Sequence, residues 1–181
     1  LPGRFKELRP SKPIKQTVKR HGIPMRRTKN VNDPGLLSFI RDCQPDYVVS
    51  IRPGQIYRQS FIDAVPQLLN LHCSDLPKYR GIGAVLQALA NREVKLGVSV
   101  YQIRNEKVDA GRLVLKKHYA TQRAESVYKH TLLLYIQAAN CVTDALDVEI
   151  HDCPELDLSE HPPNSWPEHA TRHVAGQRGH P

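Results

Sequence analysis

Residues 70–81 decide the fold of this chain, and they read Asn-Leu-His-Cys-Ser-Asp-Leu-Pro-Lys-Tyr-Arg-Gly. Two leucines come directly before them, so residues 68–72 are predicted to form a strand. Side chains two positions apart in a strand point to the same face, which places Asn70 and His72 together at the end of that strand. The stretch therefore presents an amide and an imidazole side by side where the strand gives way to a loop.

Short apolar runs alternate with helical patterns on both sides of this stretch. The predicted strands are residues 46–51, 68–72, 98–103 and 111–115, and the predicted helices are residues 14–21, 34–43, 58–65, 81–91 and 124–146. Asn32-Asp33 is predicted to cap the helix at residues 34–43. A continuous apolar run is typical of a strand buried on both faces, as in a parallel sheet. The pattern predicts an α/β fold with a mostly parallel sheet flanked by helices, in which ligands bind beyond the carboxyl ends of the strands.

A second polar segment, Val108-Asp109-Ala110-Gly111, lies between two later predicted strands. An amide that donates to an oxyanion, an imidazole that moves a proton and a carboxylate that orients it are the groups that formyl or acyl transfer to an amine needs. Taken singly, Asn70, His72 and Asp109 each have an ordinary structural interpretation, such as a packed histidine or a turn aspartate. The functional hypothesis depends on their conjunction and order.

The net charge of +8 is concentrated at the start of the chain. Residues 1–30 contain ten Lys and Arg and one acidic residue, and therefore carry a charge of +9. A basic arm of this kind indicates phosphate or nucleic-acid contact, and it is equally compatible with a solvated terminus. Because the rest of the chain is close to neutral, a dedicated nucleic-acid-binding protein is not favoured.

Cysteine spacing and hydropathy predict a cytoplasmic protein without a structural metal. None of the four cysteines, Cys43, Cys73, Cys141 and Cys153, forms a C-x-x-C pair or has zinc-ligand spacing. We therefore expect reduced thiols, with Cys73 as a packed neighbour of His72 rather than a nucleophile. No apolar stretch approaches the length of a membrane span, and no signal peptide is recognisable.

The two polar segments together resemble the motifs of the folate-dependent formyltransferases, a group that includes glycinamide ribonucleotide, methionyl-tRNA and aminosugar N-formyltransferases. The central motif of that family, Asn-x-His-x-Ser-x-Leu-Pro-x-x-Arg-Gly, is filled by Asn70, His72, Ser74, Leu76, Pro77, Arg80 and Gly81. The second motif, Asp-x-Gly, is matched by Asp109 and Gly111. Residues 21–62 also resemble the family's stretch that leads to the folate-binding loop. The resemblance covers roughly residues 14–150.

The resemblance implies a Rossmann-like, formyltransferase-type fold and 10-formyltetrahydrofolate as the formyl donor. In a transfer through a tetrahedral intermediate, Asn70 would stabilise the oxyanion, His72 would stabilise that charge or pass a proton, and Asp109 would orient His72 or accept the amine proton. No metal is required. The residues implied in folate binding are Gln55, Ile56, Tyr57, Arg104 and Val108.

The resemblance also implies a strand–helix–strand unit before the equivalent of residue 1, so we expect the N-terminal part of the sheet to be missing. Residues 1–150 are predicted to form the catalytic domain, with a basic loop at 1–13. Residues 151–181 are predicted to be an extended C-terminal tail that carries Trp166.

The expected acceptor is a small-molecule amine such as an amino sugar, because the additional C-terminal domain of the methionyl-tRNA enzyme is not in this chain. Methionyl-tRNA formyltransferase-like activity and a non-catalytic folate-binding module remain alternatives. The expected partners are folate and the acceptor, without a membrane, and a homodimer is allowed.

Overall fold

A computed structural model describes residues 12–121 and 125–163, with side chains described from residue 14 onward. In these ranges the elements are, in chain order, α1 (Lys12–Arg20), α2 (Pro34–Cys43), β1 (Tyr47–Ile51), α3 (Gln59–Ile62), β2 (Gln67–His72), α4 (Ala84–Ala90), β3 (Lys95–Gln102), β4 (Arg112–Ala120), α5 (Val127–Ala145) and a 3-10 turn (Ile150–Asp152). The predicted basic loop lies almost wholly outside the described residues, and so does Trp166.

The four described strands form one sheet in the order β1-β2-β3-β4. Strand β1 runs parallel to β2, with Val49 opposite Leu69, whereas β2–β3 and β3–β4 are antiparallel. The predicted α/β class is confirmed. The described part of the sheet is mixed, which corrects the expectation of a mostly parallel arrangement.

The antiparallel direction of β3 could not be predicted from its apolar run, because such a run indicates burial and not strand direction. Residues 96–101 are buried without interruption, as a strand covered on both faces must be. Residues 103–111 then connect β3 to β4, which is shorter than the dozen or so residues that a parallel crossover needs. An antiparallel return follows from that length.

Two apolar clusters lie on opposite faces of the sheet, and β2 contributes to both by alternation. Leu69 and Leu71 belong to a large cluster that includes side chains of α4 and α5. Leu68 belongs to a smaller cluster with Phe61 and Ile62, against which side chains of α2 pack. Because Asn70 lies two positions after Leu68, the amide is directed away from the larger cluster.

The predicted helix boundaries are close to those observed where a capping residue is present. The Asp33 side chain accepts a hydrogen bond of 2.9 Å from the backbone N–H of Gly35 and caps α2, as the sequence predicted. Ser126 caps α5 in the same way, by accepting from the backbone N–H of Lys129. The framework behind β2 and β3 is thereby fixed by local sequence signals.

Candidate active site

The end of strand β2 holds two of the three predicted catalytic side chains. Asn70 is only 4% exposed and lies opposite Tyr101 of β3 in the antiparallel register. His72 is the last residue of β2 and is partly buried. Alternation along the strand places both side chains on the face away from Leu69 and Leu71, as the sequence predicted.

Asp109 reaches this strand end from the loop between β3 and β4. One carboxylate oxygen, Oδ2, accepts a hydrogen bond of 2.6 Å from the backbone N–H of Gly81 and lies 3.4 Å from His72 Nε2. The other, Oδ1, accepts a hydrogen bond of 3.1 Å from the Tyr101 hydroxyl. The backbone of Asp109 has φ +44°, a left-handed conformation in which Asp and Asn are enriched among residues other than Gly. The structure thus brings Asn70, His72 and Asp109 together.

The contacts of His72 fix the position of its proton. His72 Nε2 lies 3.0 Å from the carbonyl oxygen of Tyr79, which also accepts a 2.5 Å hydrogen bond from Ser74 Oγ. Because a carbonyl oxygen can only accept, Nε2 must carry the hydrogen. Neutral His72 therefore keeps Nδ1 as its proton acceptor. Ser74 supports the carbonyl that orients the imidazole, which is a structural task.

Tyr101 joins two of these residues and was not identified from the sequence. Its hydroxyl donates to Asp109 and accepts a 3.2 Å hydrogen bond from Asn70 Nδ2. Burial raises the pKa of the Tyr101 phenol well above its usual value, and the nearby Asp109 carboxylate adds to the shift. Tyr101 is therefore a neutral phenol at any physiological pH. Only the strand register could have predicted it, because nothing local in the sequence sets it opposite Asn70.

Arg80 holds the loop that carries Asp109 by hydrogen bonds to its backbone. Arg80 is 5% exposed, and its hydrogen bonds to the described residues all go to backbone carbonyls. Nη2 donates to Val108 (2.6 Å), Nε to Asp109 (3.1 Å) and Nη1 to His161 (2.6 Å). A single side chain from the central motif thus ties the loop with Asp109 to the segment after the 3-10 turn.

A cleft of about 650 Å³ opens in front of these residues. Asn70, His72 and Asp109 line it, and so do four of the five residues predicted to bind folate, namely Gln55, Ile56, Tyr57 and Val108. The fifth, Arg104, does not line the cleft. Its guanidinium is 2.5 Å from the Glu155 carboxylate, because the segment after the 3-10 turn runs beside this loop and supplies a counter-charge. A role of Arg104 in folate binding stays a prediction.

The polar groups of Gln55 and Tyr57 already have partners within the chain. The Gln55 amide accepts from the backbone N–H of Val31 and donates to the carbonyl of Lys29. The Tyr57 hydroxyl donates to Ser50 Oγ, and its ring packs on Phe61 with centroids 5.1 Å apart. Within residues 55–57, the groups that remain for a ligand are therefore backbone groups and the exposed side chain of Ile56.

The thiol beside His72 is expected to be unreactive at neutral pH. Burial raises the pKa of Cys73 to about 11, and only the thiolate is nucleophilic. Iodoacetamide at pH 8 should therefore alkylate the exposed Cys43 and leave Cys73 unmodified, with Cys73 reacting only as the pH rises towards 11. Peptide mass spectrometry over a time course measures this. Equal rates of alkylation at Cys43 and Cys73 at pH 8 would show that Cys73 is activated.

The described residues hold no group of three or more His, Cys, Asp or Glu side chains arranged to bind a metal ion. None of the described helices is long and apolar enough to cross a membrane.

Comparison with known proteins gives consistent matches. The sequence model described as "Formyl transferase" matches residues 2–132. A methionyl-tRNA formyltransferase from Fervidobacterium nodosum is 35% identical over 130 residues, covering 70% of this chain and 41% of that protein. The chain therefore spans well under half the length of this curated relative.

Solved structures share the fold at low sequence identity. A phosphoribosylglycinamide formyltransferase from Bacillus halodurans superposes with a TM-score of 0.65 at 19% identity, covering 76% of this chain and 75% of that one. A sugar N-formyltransferase from a Shewanella species gives a TM-score of 0.60 at 19% identity, covering 75% of this chain and 54% of that one. At this level of identity the likeness establishes the fold, which agrees with the predicted formyltransferase type.

Proposed function

The chain belongs to the formyl transferase family, and from that premise we propose that it transfers a formyl group from 10-formyltetrahydrofolate to an amine. One observation supports this most strongly. Asn70, His72 and Asp109 line one cleft, with His72 Nε2 3.4 Å from Asp109 Oδ2. These are an amide donor, a proton carrier and a charged partner for that carrier.

The cleft fits a donor of this class in size and in chemistry. Its volume of about 650 Å³ lies within the range of small-molecule sites. Asn70 Oδ1 is a buried acceptor without a hydrogen-bond partner among the described residues, and it belongs to a side chain that lines the cleft. A buried polar atom left in this way is costly unless a ligand supplies the partner.

The donor supplies an activated formyl carbon, and the residues of the chain do the rest. As the amine nitrogen bonds to that carbon, negative charge develops on the formyl oxygen. Asn70 has one amide hydrogen that Tyr101 does not use, and donates it to that oxygen. His72 Nδ1 takes the proton that the amine loses and returns it to the folate nitrogen that leaves. Asp109 stabilises the imidazolium in between.

For the acceptor we propose a small-molecule amine, such as an amino sugar. Apolar residues such as Ile82, Leu86 and Val127 contribute to the lining of the cleft. A small acceptor and the formyl end of the donor can share a cleft of this volume. Methionyl-tRNA is the second candidate, and the similarity to the methionyl-tRNA formyltransferase of Fervidobacterium nodosum supports it.

A direct competition between acceptors tests this proposal. The 181-residue chain is incubated with 10-formyltetrahydrofolate and a panel of amino sugars, hydroxylamine-bearing amino acids and charged initiator tRNA, and formylated products are identified by mass spectrometry. We expect formylation of a small amine. Formylation of methionyl-tRNA alone would replace the first acceptor with the second. Calorimetric binding of a stable folate analogue without any product would favour a folate-binding module.

A further inference from the structure

Asn70, Tyr101 and Asp109 form a buried chain of hydrogen bonds that crosses from β2 to the β3–β4 loop. Asn70 Nδ2 donates to the Tyr101 hydroxyl at 3.2 Å, and that hydroxyl donates to Asp109 Oδ1 at 3.1 Å. Tyr101 is 3% exposed and Asn70 is 4% exposed, so bulk water does not compete for these groups. Each member has little freedom to choose another partner.

The charge of Asp109 sets the direction of this chain. A carboxylate only accepts hydrogen bonds, so the single phenol hydrogen of Tyr101 points towards Asp109. The phenol oxygen then faces Asn70 as an acceptor. The amide must turn its NH2 group to Tyr101, because the reverse orientation would set Oδ1 against the lone pairs of the phenol. This accounts for why Asn70 Oδ1 is buried without a partner among the described residues.

We propose that Tyr101 is a positioning residue that transmits the charge of Asp109 to the amide of Asn70 and holds that amide in the orientation needed by the reaction. Its catalytic consequence rests on the proposed formyl transfer. With one amide hydrogen bound to Tyr101, the second is free to donate to the formyl oxygen. The unpaired Oδ1, on the same planar group, is free to accept an N–H of the incoming amine. The free amide hydrogen of Asn70 thus faces the developing oxyanion, and its Oδ1 faces the N–H of the amine beside it.

Tyr101→Phe isolates this role because it removes only the hydroxyl and keeps the buried ring. A spectroscopic arm measures the side-chain NH2 resonances of Asn70 in the nitrogen-labelled full chain, assigned by their loss in Asn70→Asp. In Tyr101→Phe the resonance of the Asn70 amide hydrogen that was bound to Tyr101 is expected to move upfield, because that hydrogen bond is lost. The aromatic ring, which also shifts nearby resonances, is still present, so the change reports the hydroxyl alone. Asp109→Ala should have the same effect through loss of the acceptor. Tyr119→Phe, a tyrosine of β4 outside the cleft, is the matched control and should leave the resonances unchanged.

A kinetic arm separates positioning from binding. Tyr101→Phe is expected to lower kcat by about 10- to 100-fold, as for weakening of one oriented donor, with the KM for the donor changed by less than about twofold. Adding Tyr101→Phe to Asn70→Ala should cost almost nothing further, because the effect acts through Asn70.

Unchanged Asn70 resonances in Tyr101→Phe or in Asp109→Ala would overturn the role of Tyr101, whatever the activity. A kcat in Tyr101→Phe within twofold of wild type would overturn its catalytic consequence. Absence of turnover in the wild-type chain would instead contradict the proposed function, and the spectroscopic arm would still decide the role of Tyr101.

Discussion

Asp109→Asn is expected to lower kcat for formyl transfer by about 10²- to 10⁴-fold, the range for disabling an acid–base pair. The carboxylate makes three contacts, with the backbone N–H of Gly81, the Tyr101 hydroxyl and His72 Nε2. An amide of the same shape carries no charge to stabilise the imidazolium of His72. The NH2 group of the asparagine would also face a hydrogen-bond donor, because the Gly81 N–H points at one carboxylate oxygen position and the Tyr101 hydroxyl points at the other. Steady-state kinetics with the acceptor found in the competition assay measures the loss.

The fold should survive this substitution, which makes the result interpretable. Asp109 is in a loop, and a lost hydrogen bond costs about 1–2 kcal/mol. Asp144→Asn is the matched control, since the Asp144 carboxylate is paired with Lys117 on the surface and should change neither stability nor kcat appreciably. A folded Asp109→Asn protein that keeps wild-type kcat within about fivefold would remove Asp109 from the mechanism.

Arg80→Met is expected to lower the free energy of unfolding by about 2–4 kcal/mol. The buried guanidinium donates to the carbonyls of Val108, Asp109 and His161, and methionine leaves all three without that partner. The free energy of unfolding of Arg80→Lys should lie between those of wild type and Arg80→Met, because an ammonium on a flexible side chain cannot reproduce the planar guanidinium fork. Urea denaturation followed by circular dichroism gives the free energies.

An exposed arginine of α2 provides the control for the Arg80 substitutions. Arg41→Met, on the exposed side of α2, should change the unfolding free energy by less than about 0.5 kcal/mol. Limited proteolysis should also cut the segment around residue 161 sooner in both Arg80 variants than in wild type, because the tie to His161 is lost. Equal stability of Arg80→Met and wild type would mean that water replaces the guanidinium at no cost.

Local signals in the sequence predicted the elements that have local causes. The cap at Asp33 and the alternation along β2 act within a few residues, and both were found as predicted. Strand β4 extends to Ala120, beyond its predicted end at residue 115. Its second half is polar and escaped notice, but Lys116 and Lys117 are paired with Asp75 and Asp144 and the strand continues.

The remainder depends on contacts between distant parts of the chain. The register that puts Tyr101 opposite Asn70 joins residues of two strands, and no local pattern encodes it. Similarly, Arg80 belongs to the recognised motif, but its carbonyl partners come from two segments far along the sequence. The ion pair between Arg104 and Glu155 likewise joins positions 51 residues apart, and no local pattern encodes it. The sequence therefore indicated the three side chains that meet at the cleft, and it did not indicate the contacts of Tyr101 and Arg80 that hold them.

One measurement tests the central claim most directly. The full chain, in excess over an isotope-labelled 10-formyltetrahydrofolate, is mixed with the acceptor, and the label on the acceptor nitrogen is followed in wild type and in His72→Ala. The account predicts that each tetrahydrofolate formed by wild type is matched by one formylated amine, and that His72→Ala, still folded, forms almost none. Transfer at the wild-type rate by His72→Ala, or no transfer by the wild-type chain to any amine, would contradict it.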